Sequence, residues 1–160
     1  MMNIKSVLLD NSFVTRLLKK DDPCHENVVR YFEYFLSKNI KMYLSTVVIS
    51  EYAVADDPDN LLGLNTFQVL EFDYGDAKTS GMYYFLLKDK AEVRESSVRK
   101  VIINDLKLFA QIHNRKIDAF ISKDQKAFSK MYTPLRELSE INFIYIDLSI
   151  PINEVLGELF

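Results

Sequence analysis

A chain of 160 residues, 48% hydrophobic and 27% charged, has the size and balance of one folded domain, expected to span residues 1–160, and not of a disordered, collagen-like or disulfide-stapled protein. Its four glycines, at 63, 75, 81 and 157, cannot spell G-x-G-x-x-G or a P-loop, and Cys24 with His25 and His113 makes no standard zinc spacing, so the usual nucleotide-cofactor and structural-zinc sites are excluded. The net charge of -3 is unevenly spread: residues 88–136 hold 12 Lys and Arg against 6 acids, which suits either a bound polyanion or a solvated helix face.

In chain order, the apolar run 4–9 stops at Asp10 and is long enough for a buried strand but too short for a helix. Asn11 or Ser12 can cap a helix through Leu18, and Asp21-Asp22-Pro23 interrupts it. Val28, Val29, Phe32, Phe35 and Leu36 recur at helical spacing, which predicts a helix over about 24–38. Residues 41–45 read as a second strand and 46–55 as a helix that starts at Ser45 or Thr46 and carries Glu51. DDPDN at 56–60 is turn chemistry, and 61–97 offers only one clear element, a helix around 75–87.

A helix over 98–113 follows, with Val101, Ile102, Leu106 and Phe109 as its apolar stripe and Asp105 beside it. Residues 119–122 form a strand running into Lys123-Asp124, followed by a helix over about 124–131 and a last strand at 141–147. Strands alternating with helices imply right-handed crossovers and a parallel sheet covered on both faces. The N-terminus lacks a signal-peptide core and no window approaches 18 apolar residues, so a cytoplasmic protein without membrane contact is expected.

Ligands in open parallel sheets collect at the carboxyl ends of the strands. Asp10 and Asp124 stand at two such ends, Glu51 on the helix leaving the second strand, and Asp105 on the helix entering the third. Four carboxylates in one crevice repel, each pair by on the order of 4 kcal/mol at 4 Å and an effective dielectric of 20. A divalent cation resolves the conflict, and an all-oxygen set suits Mg²⁺ or Mn²⁺. Taken singly, Asp10 reads as a helix cap; together with Glu51 and Asp105 it reads as a metal ligand. Asp124 stays open between a cap and a ligand acting through water.

These residues sit in VLLDNSFV around Asp10, LSTVVISEYA around Glu51, and NDLKLFAQIHNRKIDAFISKDQKAF, which holds Asp105 and ends its ISKD at Asp124. In that order the stretches resemble the PIN domain, a family of metal-dependent ribonucleases that includes the toxins of many type II toxin–antitoxin pairs. The resemblance implies a three-layer α/β/α sandwich, and Asp10, Glu51, Asp105 and often Asp124 holding one or two Mg²⁺ or Mn²⁺ for hydrolysis of RNA without a covalent enzyme intermediate. It also implies supporting roles for Ser12 and Ser122, an antitoxin partner and a homodimer. Residues 56–97 do not align with the family pattern.

Lys123 and Lys126 flank the expected site and, with Lys88, Lys90, Arg94, Arg99 and Lys100, are candidates for tracking an RNA backbone. His25 and His113 have no sequence neighbour to pair with and read as packed or surface side chains. Among the aromatics, Phe32, Phe35 and Phe85 are expected in the core. The principal alternative to a nuclease is a module of the same fold that binds RNA or a protein without chemistry. A DNA-cutting flap nuclease lacks room here for its gripping additions, and a phosphatase working through an aspartyl-phosphate would show D-x-D where this chain has Asp10-Asn11-Ser12.

Overall fold

The computed structural model describes residues 3–89, 96–123 and 125–156. The elements are β1 (Ser6–Leu9), α1 (Asn11–Leu18), α2 (His25–Ser37), β2 (Lys41–Ser45), α3 (Thr46–Tyr52), α4 (Asp59–Leu62), β3 (Phe67–Leu70), α5 (Tyr74–Leu87), α6 (Ser96–Arg115), β4 (Ala119–Ser122), α7 (Gln125–Leu138), β5 (Ile144–Asp147) and α8 (Ile152–Leu156).

The five strands form one parallel sheet in the order β3-β2-β1-β4-β5, with helices around it, an α/β/α sandwich as expected. From β1 the chain first builds outward through β2 and β3, then returns across β1 to add β4 and β5. The order therefore reverses between β1 and β4, and the carboxyl ends of those two strands bound the crevice where such sheets bind ligands. Val7 pairs with Met42 on one side and Ala119 on the other, and the Asp10 N–H donates to the Ile121 carbonyl at 3.1 Å, so Asp10 is held at the mouth of that crevice.

Val7, Leu8 and Leu9 of β1 and all four residues of β4 are buried, which is why short unbroken apolar runs are strands here. Phe109 of α6 meets Phe120 at 5.8 Å, Phe128 at 5.7 Å and Phe143 at 5.4 Å between ring centroids, while Phe128 stacks on Tyr145 at 4.0 Å. This aromatic cluster locks α6 onto β4 and α7, and Asp105 lies one helical turn ahead of Phe109.

Turns are made almost without glycine. Asn39 after α2 (φ 56°) and Lys116 after α6 (φ 53°) occupy the left-handed position, and the Ile40 and Ile117 N–H groups reach back to Phe35 and Ile112 to close each helix. Asp22 accepts from the Cys24 N–H and Asp57 from the Asp59 N–H, so both aspartate clusters do act as turn formers.

Three expectations need correction. The stretch 61–97 is not featureless before its helix: it holds α4 and the edge strand β3, so much of it belongs to the sheet. The helix expected over 124–131 runs on to Leu138, past Pro134, because Phe128, Met131 and Leu135 continue one buried stripe. Phe85 is 64% exposed on α5, whereas Phe35 is buried and Phe32 packs against Phe67. Among the described residues no helix is long and apolar enough to cross a membrane.

Candidate active site

The site begins where β1 ends. Asp10 is extended (φ -80°, ψ 161°) and caps α1 through the Ser12 N–H at 3.3 Å, so the cap is Asp10 itself and not Asn11 or Ser12, which lie inside the first turn. The Ser12 hydroxyl also donates to the same carboxylate oxygen, Oδ2, at 2.6 Å. That hydroxyl in turn accepts the Lys123 N–H at 3.2 Å, which ties Asp10 to the end of β4. Ser12 is thus a bridge between the two strand ends at the crevice. Ser12→Ala is expected to lower stability by about 1.5–3 kcal/mol, the usual worth of a hydrogen bond to a charged group, as read by thermal or urea unfolding.

Burial pushes the Asp10 carboxyl above its ordinary range; the Ser12 hydroxyl and N–H, the Asn11 N–H and the Arg16 charge oppose that rise without cancelling it. Arg16 is itself fixed by the Ser12 carbonyl at 2.9 Å and by Asp22 at 3.4 Å. Glu51, half-buried on α3, is likewise pushed up, first by burial and then by the negative charge of Asp10, with the Lys107 charge opposing. Two carboxylates from α3 and the β1 end therefore feel each other inside one partly desolvated cleft.

α3 is placed by Ser45, whose side chain caps it through the Val47 N–H and also donates to Gln111 Oε1 at 2.5 Å. Gln111 is buried on α6 and donates to the Leu70 carbonyl at 3.3 Å, so one amide joins the ends of β2 and β3 to α6. Asp105 is half-buried on that helix. A cleft of about 250 Å³ opens between α1 and α3, lined by Asn11, Thr15, Leu18, Lys19, Glu51 and Tyr52. Two larger hollows lie elsewhere: one at Arg30, Tyr34 and Ile152, the other around His113 and Asp118.

Among the described residues, no three His, Cys, Asp or Glu side chains gather closely enough to hold a metal ion. The structure brings Asp10 and Glu51 into electrostatic contact, sets Asp105 on α6, and leaves Asp124 outside the described residues. The Asp10–Glu51 pair still fits a hard divalent cation on its chemistry, since both groups offer only oxygen and both are penalised for carrying charge where they stand.

The Ser122 hydroxyl faces Tyr145 Oη at 2.9 Å on β5. Lys123 and Lys126 are exposed beside the crevice, whereas Lys90 and Arg94 and the side chains of Arg99 and Lys100 lie outside what is described. His25 Nδ1 pairs with the Arg16 carbonyl at 2.8 Å, and His113 lies edge-on to Tyr83 at 6.3 Å near the end of α6. Lys107 was missed by sequence reasoning. Its one visible signal is a cation between the buried positions Leu106 and Leu108.

No protein-family model matches the sequence, and no curated protein is significantly similar to it. Solved structures do match in shape. VapBC2 from Rickettsia felis, bound to a DNA fragment from its promoter, superposes with a TM-score of 0.61 at 15% identity, covering 89% of this chain and 98% of that one. VapBC-1 from nontypeable Haemophilus influenzae gives 0.58 at 14% identity, covering 91% and 99%. Mycobacterium tuberculosis VapC20, a sarcin-ricin loop cleaving toxin, gives 0.55 at 16% identity, covering 78% and 94%. The fold is that of the PIN-domain toxins, in agreement with the resemblance in the sequence.

Proposed function

We propose that this PIN-fold chain is a Mg²⁺- or Mn²⁺-dependent endoribonuclease and the toxin of a toxin–antitoxin pair, acting in the cytoplasm. The observation that carries the reading is the pair of desolvated carboxylates Asp10 and Glu51, of which Asp10 stands where the strand order reverses. Asp10, Glu51 and Asp105, with Asp124, would hold the cation, which supplies Lewis acidity and positive charge for phosphodiester hydrolysis. Ser12 keeps the Asp10 carboxylate aimed and joined to the β4 end. Lys123 and Lys126, with Arg99 and Lys100, draw the RNA backbone toward the crevice.

The solved structures similar in shape include VapBC complexes, which supports an antitoxin as partner. The exposed apolar side chains of α5, Tyr74, Met82 and Phe85, are candidates for burial in that complex or in a homodimer.

The test joins a thermal-shift titration with Mn²⁺ to an assay of cleavage of pooled tRNA and rRNA, on wild type and on Asp105→Asn. A cation that binds only the folded state adds about 2.7 kcal/mol at 100 times its dissociation constant. Wild type is expected to gain stability and to cut, and Asp105→Asn to do neither. Cutting that survives Asp105→Asn would contradict the proposed ligand set. No gain and no cutting in wild type would favour a binding module without chemistry.

A further inference from the structure

Ser45 and Gln111 are wholly buried, and among the described residues they are two of the four buried polar or charged side chains other than tyrosine. A methionine would fill the place of Gln111 without the cost of burying an amide, so what the amide adds is direction. Each donor in its chain of bonds has one acceptor. The Val47 N–H gives to Ser45 Oγ at 3.1 Å, the Ser45 hydroxyl to Gln111 Oε1, and the Gln111 side-chain N–H to the Leu70 carbonyl. Two residues after Leu70, the Phe72 N–H gives to Thr46 Oγ1 at 3.1 Å. The start of α3, the exit of β3 and the middle of α6 thus meet at one junction, whose bonds hold only over a narrow range of distance and rotation.

Both helices fastened there carry an acid of the proposed cation site. α3 is only seven residues long and has Glu51 toward the end away from Ser45, so a tilt at its root is carried to that carboxylate. α6 carries Asp105, and Lys107, four residues before Gln111 and so on the same face, sets a charge that reaches Glu51. The ligands of one cation must converge to within about 0.2 Å, and two of them here come from separate helices. We propose that Gln111 is a positioning residue for the reaction: through Ser45 and the Leu70 carbonyl it fixes α3 against α6 at the spacing from which Glu51 and Asp105 close on one cation. The proposal rests on the nuclease reading and adds to it a residue that lies in the core and touches neither cation nor RNA.

Gln111→Met keeps the length of the side chain and makes none of its bonds. Gln111→Asn keeps the amide but is one methylene too short to span Ser45 and Leu70. Ile152→Ala, which truncates a buried residue of α8 outside the junction, supplies a loss of stability without touching it. Uptake of Mn²⁺ alone is read by electron paramagnetic resonance, in which the signal of the free ion falls on binding. Cleavage of pooled tRNA and rRNA is read as kcat and KM. Both Gln111 variants are expected to take up Mn²⁺ about 10- to 100-fold more weakly, and at saturating Mn²⁺ to lose about 10- to 100-fold in kcat with KM for RNA unchanged. Ile152→Ala is expected to melt lower, yet to take up Mn²⁺ and cut as wild type does.

That contrast separates positioning from stability, since a Gln111 that only supports the core would follow Ile152→Ala. Gln111 variants that take up Mn²⁺ and cut like wild type would overturn the positioning role and leave the nuclease reading intact. An equal loss of uptake and kcat in Ile152→Ala, or a failure of both Gln111 variants to melt cooperatively, would do the same. Wild type that takes up no Mn²⁺ and cuts no RNA would overturn both.

Discussion

Asp10→Asn is expected to lower RNA cleavage on the order of 10³-fold, as removal of a charge-stabilising group does, and at the same time to make the protein more stable. The asparagine oxygen can still accept from the Ser12 N–H and hydroxyl, so the cap survives. What disappears is a carboxylate whose ionisation is penalised by burial and whose charge in turn disfavours that of Glu51. A gain of roughly 0.5–2 kcal/mol is the usual scale for relieving such a strained site.

The pH dependence carries the sign. Both acids titrate higher in the folded protein than in the unfolded chain, so each contributes stability that is complete below about pH 4 and is lost as pH rises through its raised value. In melts from pH 4 to 8 with EDTA, the variant should therefore lose less stability than wild type on the way up. A variant equally active, or less stable with the same pH profile, would contradict the role given to Asp10.

Arg115→Ala should cost about 3–5 kcal/mol, the scale for breaking a buried ion pair, and lower the melting temperature by about ten degrees or more. Asp76 is wholly inaccessible, and Arg115, 29% exposed, grips it with Nη1 at 2.6 Å and Nη2 at 2.9 Å. Burial alone would push the Asp76 carboxyl up; the bonds from Arg115, Asn114 and the Asp73 N–H outweigh it and hold the carboxyl below its usual range. That stability is present above about pH 4 and is lost as pH falls through the lowered value, so acid should unfold wild type along this route. Without the guanidinium, the same carboxylate is buried among fewer donors, and the acid transition should move to higher pH. A melting temperature within two degrees of wild type would show that the pair holds little.

The parts of the fold that sequence reveals are those where burial is symmetric. β1, β2 and β4 appear as short apolar runs because they occupy the three inner positions of the sheet. β3 lies at an edge, with Gln68 exposed and Val69 45% exposed, so its pattern carries no alternation to detect. Pro134 hid the length of α7: a proline mid-pattern reads as an end, but the buried stripe through Leu135 outweighs the lost hydrogen bond.

At the site, Asp10 and Glu51 could be read because each follows a recognisable strand end. Ser12 was legible by its place beside Asp10, but its bond to the Lys123 N–H spans 111 residues and belongs to tertiary structure alone. Ser122 adjoins Asp124 in sequence, yet its hydroxyl pairs with Tyr145 Oη.

The order in which the strands are laid down bears on when any chemistry can begin. A ribosome adds about 5–20 residues per second, so roughly 6–23 seconds separate the making of Asp10 from that of Lys123. Throughout that interval the nascent chain has β1, β2 and later β3, but one wall of the crevice is missing and the Ser12 hydroxyl has no strand end to join. The second wall of the crevice thus arrives only when nearly four-fifths of the chain has been made.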